Sequence, residues 1–154
     1  MIHRKLYQKA SDLLQLFPVI TITGPRQSGK TTLVRSLPFD LPYITLEDPD
    51  IRGLALEDPR GFLANYPKGA ILDEVQQVPQ LFSYIQGIVD TNSTKFILSG
   101  SQNFQLIERI GQSLAGRTAI LKLLPFSLEE LKPNYKINNF YDFIFKGSYP
   151  RIYD

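Results

Sequence analysis

The sequence contains no cysteine, no tryptophan and a single histidine among its 154 residues. Without cysteine there can be no disulfide scaffold, no thiolate metal site and no cysteine nucleophile. One histidine excludes a metal site built from several histidines and leaves little room for a histidine-based triad. We expect that histidine, His3, to have a structural or surface role, because the sequence shows no partner for it.

Long apolar runs and a strong excess of one charge are also missing. No stretch approaches the roughly 18–20 apolar residues that a membrane span requires. Basic residues precede an apolar stretch near the N-terminus, but Gln15 and Pro18 interrupt it and no cleavage site follows, which argues against a signal peptide. The formal net charge of +2 predicts no global nucleic-acid footprint, although a local patch remains open. We expect a cytoplasmic protein that has no membrane partner.

What is present has the pattern of one α/β domain. The length suits a single domain, and 43% hydrophobic residues suffice for a core. β-branched runs alternate with segments of helical periodicity, which predicts a mostly parallel five-stranded sheet covered on both faces, a three-layer α-β-α arrangement. Helix starts are indicated at Asp48 and Asp58, each before a proline, at Asn103, and at Ser127, which has capping-box spacing to Glu130. Strands are predicted at 19–23, 43–46, 70–72, 95–98 and 118–124, and further helices near 4–16, 30–36, 79–89 and 140–145.

The segment GPRQSGKTT, residues 24–32, is the most informative in the chain. It fits the Walker A pattern and stands between a predicted strand and a predicted helix, which disfavours an ordinary glycine-rich turn with an exposed lysine. Glycines allow a tight loop whose N–H groups converge on phosphate at a helix N-terminus. Lys30 is predicted to contact the β- and γ-phosphates of ATP, and Thr31 to ligate Mg²⁺. The predicted nucleotide-binding residues are Gly24, Pro25, Arg26, Gln27, Ser28, Gly29, Lys30, Thr31 and Thr32.

A second motif, GAILDE at residues 69–74, fits Walker B. Four small or apolar residues lead to two carboxylates at the carboxyl end of a predicted strand, where open α/β sheets bind their ligands. We expect Asp73 to hold Mg²⁺, directly or through water, and Glu74 to orient and polarise an attacking water. The alternative is a solvated acidic turn after a strand.

A polar sequence follows the strand predicted at 95–98, and we expect that strand to insert between the two motif-bearing strands. Ser101, Gln102 and Ser99 are the candidates for sensing the γ-phosphate, with an ordinary strand-to-helix turn as the alternative. Arg117 precedes the last predicted strand and could supply charge to a γ-phosphate, in cis or from a neighbouring subunit. An ordinary surface role for Arg117 also stays open.

The chain resembles the bacterial and archaeal AAA-type ATPases that pair an N-terminal P-loop domain with a C-terminal domain of unknown function. The resemblance covers residues 2–151 and rests on six segments: GPRQSGKTTL, ITLEDPDIR, ILDEVQQVPQLF, FILSGSQ, SLAGRTAILKLLPFSLEEL and GSYPRI. It implies binding of ATP and Mg²⁺, with Lys30, Thr31, Asp73 and Glu74 in the roles given above. Members of the family usually have threonine where this chain has Ser99, which keeps the hydroxyl.

The resemblance also implies a longer protein. Relatives continue past the GSYPRI-like segment into a helical region and a second domain, so we expect this chain to be a truncated product, an excised domain or a fragment. We interpret residues 1–154 as one ATPase domain, with an N-terminal helix at 1–17, a sheet core at 18–125 and the start of a helical region at 126–154. Nucleic-acid or protein partners would act through the missing region, and homo-oligomerisation stays open.

Three functions are compatible with the phosphate loop alone, and the other features of the sequence distinguish them. The first is an ATPase that couples hydrolysis of ATP to a conformational change, supported by the Asp73–Glu74 pair. The second is a nucleotide-binding module without turnover, because a lid or a neighbouring subunit is missing. The third, a P-loop kinase, would need an acceptor pocket and an arginine-rich lid that the sequence does not show.

Overall fold

A computed structural model of the protein describes residues 2–101, 104–136 and 140–153, with the backbone alone at 104–107 and 142. The strands are β1 Val19–Gly24, β2 Tyr43–Thr45, β3 Gly69–Asp73, β4 Lys95–Ser101 and β5 Thr118–Lys122. The helices are α1 Leu6–Leu16, α2 Lys30–Ser36, α3 Pro49–Glu57, α4 Pro59–Ala64, α5 Leu81–Thr91, α6 Phe104–Ser113, α7 Leu128–Leu131 and α8 Phe140–Lys146. Short 3-10 helices occupy Val75–Gln77 and Pro150–Ile152.

The five strands form one parallel sheet in the order β2-β3-β4-β1-β5. This confirms the predicted α/β fold with its parallel sheet, and β4 lies between β1 and β3 as expected. Because the strands run in the same direction, their carboxyl ends meet at a single edge. Gly24 at the end of β1 pairs in register with Ser101 at the end of β4, and β3 ends beside them at Asp73.

Helices cover both faces of the sheet, which gives the expected three layers. One face packs against α3, α4, α5 and α6 through a core that includes Phe62, Leu72, Phe82 and Phe96. The other face packs against α1 and α2, with Leu14, Ile22 and Leu33 in its core. All six residues of β1 and all five of β3 are buried, as expected for strands that have helices on both sides.

The capping residues form the helix starts that their side chains predict. Asp48 Oδ1 accepts from the N–H of Asp50 at 2.9 Å, and Asp58 Oδ1 accepts from the N–H of Gly61 at 2.9 Å. Ser127 and Glu130 form a complete capping box at α7. Each cap satisfies N–H groups that have no partner within the helix.

Some boundaries differ from the sequence-based expectation. The last strand was expected to reach residue 124 but ends at Lys122, because the chain then turns away before Pro125 and leaves Leu124 exposed. Two candidates, Gln102 and the cap Asn103, lie outside the described residues. Within the described ranges, none of the helices combines the length and the apolar character that crossing a bilayer requires.

Candidate functional site

The loop between β1 and α2 adopts a conformation that its glycines permit. Gly29, the residue before α2, has a φ of 89°, a left-handed value that residues with a Cβ rarely adopt. A Cβ on Gly24 would collide with the main-chain carbonyl oxygen of Leu123, so the loop passes close to the end of β5. Arg26 and Gln27 are exposed on the loop, whereas Ser28 is fully buried.

Lys30 lies folded against its own loop. Its side chain is 6% exposed, and Nζ donates to the carbonyl oxygens of Gly24 and Pro25 at 3.3 and 3.0 Å. Both acceptors are ordinary carbonyls rather than carboxylates, so the ammonium is held by partners that a phosphate can replace. The buried Ser28 Oγ has no hydrogen-bond partner among the described residues.

The Asp73 carboxylate is the centre of the polar network beside the loop. Its Oδ2 accepts from Thr31 Oγ1 at 2.8 Å and from the Tyr43 hydroxyl at 2.6 Å. Its Oδ1 accepts from Ser99 Oγ at 2.5 Å and from the Glu74 N–H at 3.1 Å. Burial, and then the hydrogen bond to Asp73 and its charge, raise the pKa of Tyr43 to about 12. The phenol therefore stays a donor at neutral pH.

The donors brought together here suit Mg²⁺. The cation prefers oxygen ligands and is commonly bound by one or two carboxylates together with substrate phosphates. Thr31 supplies a hydroxyl oxygen and Asp73 a carboxylate, and the two groups are already in hydrogen-bond contact. The residues therefore fit a magnesium ion between α2 and the end of β3.

Glu74 lies next to this carboxylate in an unusual backbone conformation. Its φ of 54° is left-handed, which costs a residue that has a Cβ about 1–2 kcal/mol. Its Oε2 accepts from Gln76 Nε2 and, at 3.4 Å, from Ser101 Oγ. The Gln76 amide must present its nitrogen to Glu74, and this leaves the Gln76 Oε1 buried without a partner among the described residues.

A cavity of about 490 Å³ opens beside the phosphate loop. Gly29 and Thr32 form the wall nearest the loop, and residues of the N-terminal segment and of the segment after β5 form the others. Its size lies within the range of small-molecule sites, about 300–1,000 Å³. Its aromatic lining consists of His3, Tyr7, Phe126, Tyr135 and Tyr153.

Arg4 connects these walls. Nη1 donates to the carbonyl oxygen of Ser28 at 3.1 Å, and Nη2 donates to that of Leu124. Nε lies 3.2 Å from Glu130 Oε1, and the guanidinium stacks 4.5 Å from the centroid of the Phe126 ring. Burial lowers the pKa of Arg4, whereas the Glu130 carboxylate acts to raise it.

The structure does not bring Arg117 to the phosphate loop of its own chain. Arg117 immediately precedes β5, at the opposite edge of the sheet, where its carbonyl accepts from the N–H of Val19 at 3.2 Å. Its guanidinium pairs with Asp90 through contacts of 2.5 and 2.8 Å. This pairing raises the pKa of Arg117 and lowers that of Asp90. Arg117 thus lies beside the start of β1, and the length of that strand separates it from the phosphate loop, so a contact between Arg117 and phosphate stays a prediction.

Three residues that contact the phosphate loop, Asp73 or Glu74 were not among the sequence-based candidates for catalysis or metal binding: Arg4, Tyr43 and Gln76. Gln76 could have been found from its place two residues after Glu74. Tyr43 begins a strand whose pairing with β3 is visible only in the fold. Arg4 gives no signal of burial in the sequence, because arginine is usually exposed.

Comparison with known proteins decides the family. The AAA_14 family model, described as an AAA domain, matches residues 16–132. The chain belongs to this AAA domain family. It is thus an AAA-type P-loop ATPase domain, in agreement with the resemblance carried by its motifs.

Relatives with curated sequences extend well beyond this domain. Uncharacterized proteins of Mycobacterium bovis (Mb2031c) and Mycobacterium tuberculosis (Rv2008c) are each 32% identical over 117 residues. The match covers 74% of this chain and 26% of each relative. The chain therefore spans about a quarter of the length of the relatives it matches.

Several solved structures share the fold of this AAA domain. The Walker-type ATPase PabY2304 of Pyrococcus abyssi has a TM-score of 0.61 at 18% identity, covering 84% of this chain and 55% of its own. The Aeropyrum pernix ORC1 protein in complex with DNA scores 0.60 at 13% identity, covering 86% and 48%. The replication initiator DnaA, bound to AMPPCP and single-stranded DNA, scores 0.57 at 14% identity, covering 98% and 60%.

Proposed function

We propose that this AAA domain binds ATP with Mg²⁺ and hydrolyses it to ADP and phosphate, and that hydrolysis drives a conformational change. The observation that carries the proposal is the contact between Thr31 and Asp73, 2.8 Å long, with Glu74 next along the chain. A hydroxyl at the end of the phosphate loop and a carboxylate at the end of β3, both suited to Mg²⁺, thus meet, and a second carboxylate follows the first.

Binding of the triphosphate would use the loop and Lys30. Converging N–H groups and the positive end of α2 favour phosphate oxygens. Lys30 Nζ would exchange the carbonyls of Gly24 and Pro25 for the β- and γ-phosphates, which requires only a movement of its side chain. Thr31 and Asp73 would hold Mg²⁺, which neutralises charge on the phosphates when bound.

Glu74 would prepare the water that attacks the γ-phosphate. Both side-chain donors found for this carboxylate, Gln76 and Ser101, contact Oε2. Oε1 is then the oxygen that can accept a hydrogen bond from the water and orient its lone pair toward phosphorus. Ser101, at the end of β4, would report the presence of the γ-phosphate through its contact with Glu74.

The cavity beside Gly29 and Thr32 would receive the nucleoside. Its aromatic rings can stack on a planar base, and Gly29 and Thr32 in its wall join it to the loop in which the phosphates would lie. The ligand class proposed is ATP, with ADP as the product of its hydrolysis.

Arg117 would act between subunits if the domain assembles. An arginine that reaches the γ-phosphate from a neighbour stabilises the charge of the transition state. Its exposed pair with Asp90 leaves it on the surface, where a second copy can approach. Protein or nucleic-acid partners would act through the rest of a longer protein.

Binding without turnover is the second candidate function. It is favoured by the separation of Arg117 from the loop of its own chain, since an isolated domain would then lack that charge. A domain of this kind would bind ATP tightly and hydrolyse it only when a neighbour completes the site.

Mg²⁺-dependent ATP hydrolysis by the purified chain, measured over a range of protein concentrations, distinguishes hydrolysis from binding without turnover. Lys30→Ala is the blank, and Lys68→Ala, an exposed lysine before β3 at the other edge of the sheet, is the matched control. Turnover per subunit that rises with concentration would support hydrolysis at a site completed in trans. Binding without turnover at every concentration would support the second candidate, and unchanged ATP affinity in Lys30→Ala would refute the site assignment.

A further inference from the structure

We infer that Tyr43 is a positioning residue for the magnesium site: its hydroxyl holds Asp73 in the orientation that meets Thr31. The inference rests on the proposed function, because it concerns how the proposed metal ligand is fixed. It adds a residue of β2 to a site otherwise built from α2, β3 and β4.

The first observation is that Tyr43 and Thr31 share one carboxylate oxygen. Asp73 Oδ2 accepts from the Tyr43 hydroxyl at 2.6 Å and from Thr31 Oγ1 at 2.8 Å. The Thr31 hydroxyl can offer a lone pair to Mg²⁺ while its proton still points to Oδ2. The oxygen that Tyr43 contacts is therefore the one that orients the threonine ligand.

The second observation is that Tyr43 is itself fixed by the helix that carries Thr31. The Arg35 guanidinium lies 4.9 Å from the centroid of the Tyr43 ring. Thr31 and Arg35 are four residues apart, so they lie on the same face of α2. One face of α2 thus contacts the aromatic ring of Tyr43 through Arg35 and the Asp73 carboxylate through Thr31. The Tyr43 hydroxyl donates to the same carboxylate, so these four residues form a closed circuit of contacts.

The third observation is that the remaining donors act on the other oxygen. Ser99 and the Glu74 N–H bind Asp73 Oδ1. Removing the Tyr43 hydroxyl would leave Oδ2 with Thr31 alone and would remove one of the four hydrogen bonds among the described residues that oppose rotation of the carboxylate about its Cβ–Cγ bond. Groups that orient a metal ligand in this way commonly change metal affinity by about 10–100-fold when they are mutated.

Tyr43→Phe tests the inference, because it keeps the ring beside Arg35 and removes only the hydroxyl. ATP affinity is measured by calorimetry in excess EDTA and again across a Mg²⁺ titration. In EDTA, we expect the variant to bind ATP as tightly as the wild type does. In the titration, we expect the Mg²⁺ concentration that gives half of the maximal gain in ATP affinity to rise about tenfold. Tyr66→Phe, a ring packed against Phe62 on the other face of the sheet, is the matched control and should change neither value.

The possible outcomes separate this inference from the proposed function. No ATP binding by the wild type would overturn both. Binding with an unchanged Mg²⁺ requirement in Tyr43→Phe would overturn the role of Tyr43 alone. A lower Mg²⁺ requirement would also overturn it, because the hydroxyl would then compete with the metal rather than support it. An equal loss of affinity in EDTA and in Mg²⁺ would indicate a merely structural role.

A measurement on the wild type covers the case in which Tyr43→Phe does not fold. With tyrosine labelled at Cζ by carbon-13, addition of Mn²⁺ in place of Mg²⁺ to the ATP-bound chain should broaden one tyrosine signal far more than the rest. That signal is expected from Tyr43, whose hydroxyl is 2.6 Å from the proposed ligand. Uniform or absent broadening would overturn the inference.

Discussion

Arg4 Nη1 donates to the main-chain carbonyl of Ser28 at 3.1 Å, so a residue of the N-terminal segment fixes the phosphate loop. The same guanidinium reaches Leu124 after β5 and Glu130 in α7. The loop, the segment after β5 and the N-terminal segment are the parts of the chain that surround the cavity. Arg4 therefore holds the walls of the proposed base site in a fixed relationship to the phosphate loop.

Replacing Arg4 by methionine should destabilise the protein by about 3 kcal/mol, because breaking a buried ion pair leaves the Glu130 carboxylate buried without its partner. Urea unfolding followed by circular dichroism measures the change. Lys5→Ala is the control, since the Lys5 side chain pairs with Glu129 at an exposed position worth about 1 kcal/mol or less. Equal effects of the two substitutions would contradict the bridging role of Arg4.

The parts of the site that could be predicted from the sequence are those encoded locally. The loop from Gly24 to Thr31 specifies its own turn and the start of α2, and the run before Asp73 specifies a buried strand. The position of β4 between β1 and β3 followed from the pattern of motifs, and it brings Ser99 to Asp73.

The parts that could not be predicted depend on packing between distant segments. Tyr43 and Asp73 meet only because β2 pairs with β3, and strand pairing leaves little trace in a short apolar run. Arg4 approaches Leu124 across most of the chain. The sequence leaves Arg117 open between a γ-phosphate contact, in cis or from a neighbouring subunit, and a surface role, and only the fold shows that its place before a parallel strand puts it at the far edge of the sheet.

Gln76 should affect the rate of ATP hydrolysis, through its contact with Glu74, and should not affect the binding of ATP. Gln76→Leu removes a donor to a charged carboxylate, and we expect kcat to fall about tenfold with KM unchanged. Glu74→Gln should lower kcat further, by about 10²–10⁴-fold, with ATP binding retained. Steady-state kinetics provide both values.

Gln77→Leu is the matched control for Gln76→Leu, because Gln77 lies in the same 3-10 turn and is exposed. Turnover equal to that of the wild type in Gln76→Leu would show that Gln76 does not orient Glu74. A comparable fall in Gln77→Leu would assign the effect to the turn as a whole.

Arg117→Ala should leave stability nearly unchanged, because its pair with Asp90 is exposed. If Arg117 acts in trans, hydrolysis per subunit should fall by about 10³-fold. Mixing Arg117→Ala with Lys30→Ala should then restore activity, since the second variant can supply an arginine to the intact loop of the first. A mixture no more active than its components would contradict action in trans, and Arg60→Ala, an exposed arginine on α4, controls for loss of surface charge.

The phenol of Tyr43 should ionise well above an ordinary tyrosine. Its pKa is raised from 10.0 to about 12, chiefly by burial and then by Asp73. A raised pKa means that the folded state favours the protonated form, so this contribution to stability is complete below about pH 10 and is lost as the pH rises through about 12. In phenolate absorbance titrations, the wild type and Tyr43→Phe should coincide up to about pH 11 and diverge above it. Divergence beginning near pH 10 would contradict a buried donor to Asp73.

Gly29→Ala and Gly53→Ala should change stability in opposite directions. At Gly29 the φ of 89° is strained for alanine and costs about 1–2 kcal/mol. The added Cβ would lie 3.5 Å from Pro150 Cγ and 3.8 Å from Arg4 Nη1, ordinary contacts, so the strain comes from the backbone. Gly53 is inside α3 with open space around it, and alanine there should stabilise the helix by about 0.5–1 kcal/mol. Urea unfolding gives both values.

The same pair of variants connects loop strain to ligand binding. Relief of this strain in Gly29→Ala would turn the N–H groups that precede α2, so ATP affinity should fall together with stability. Gly53→Ala should bind ATP as the wild type does, because α3 lies on the sheet face away from α2. Retained ATP affinity in Gly29→Ala, despite a loss of stability, would mean that the left-handed conformation of Gly29 stabilises the fold and is not required for phosphate binding.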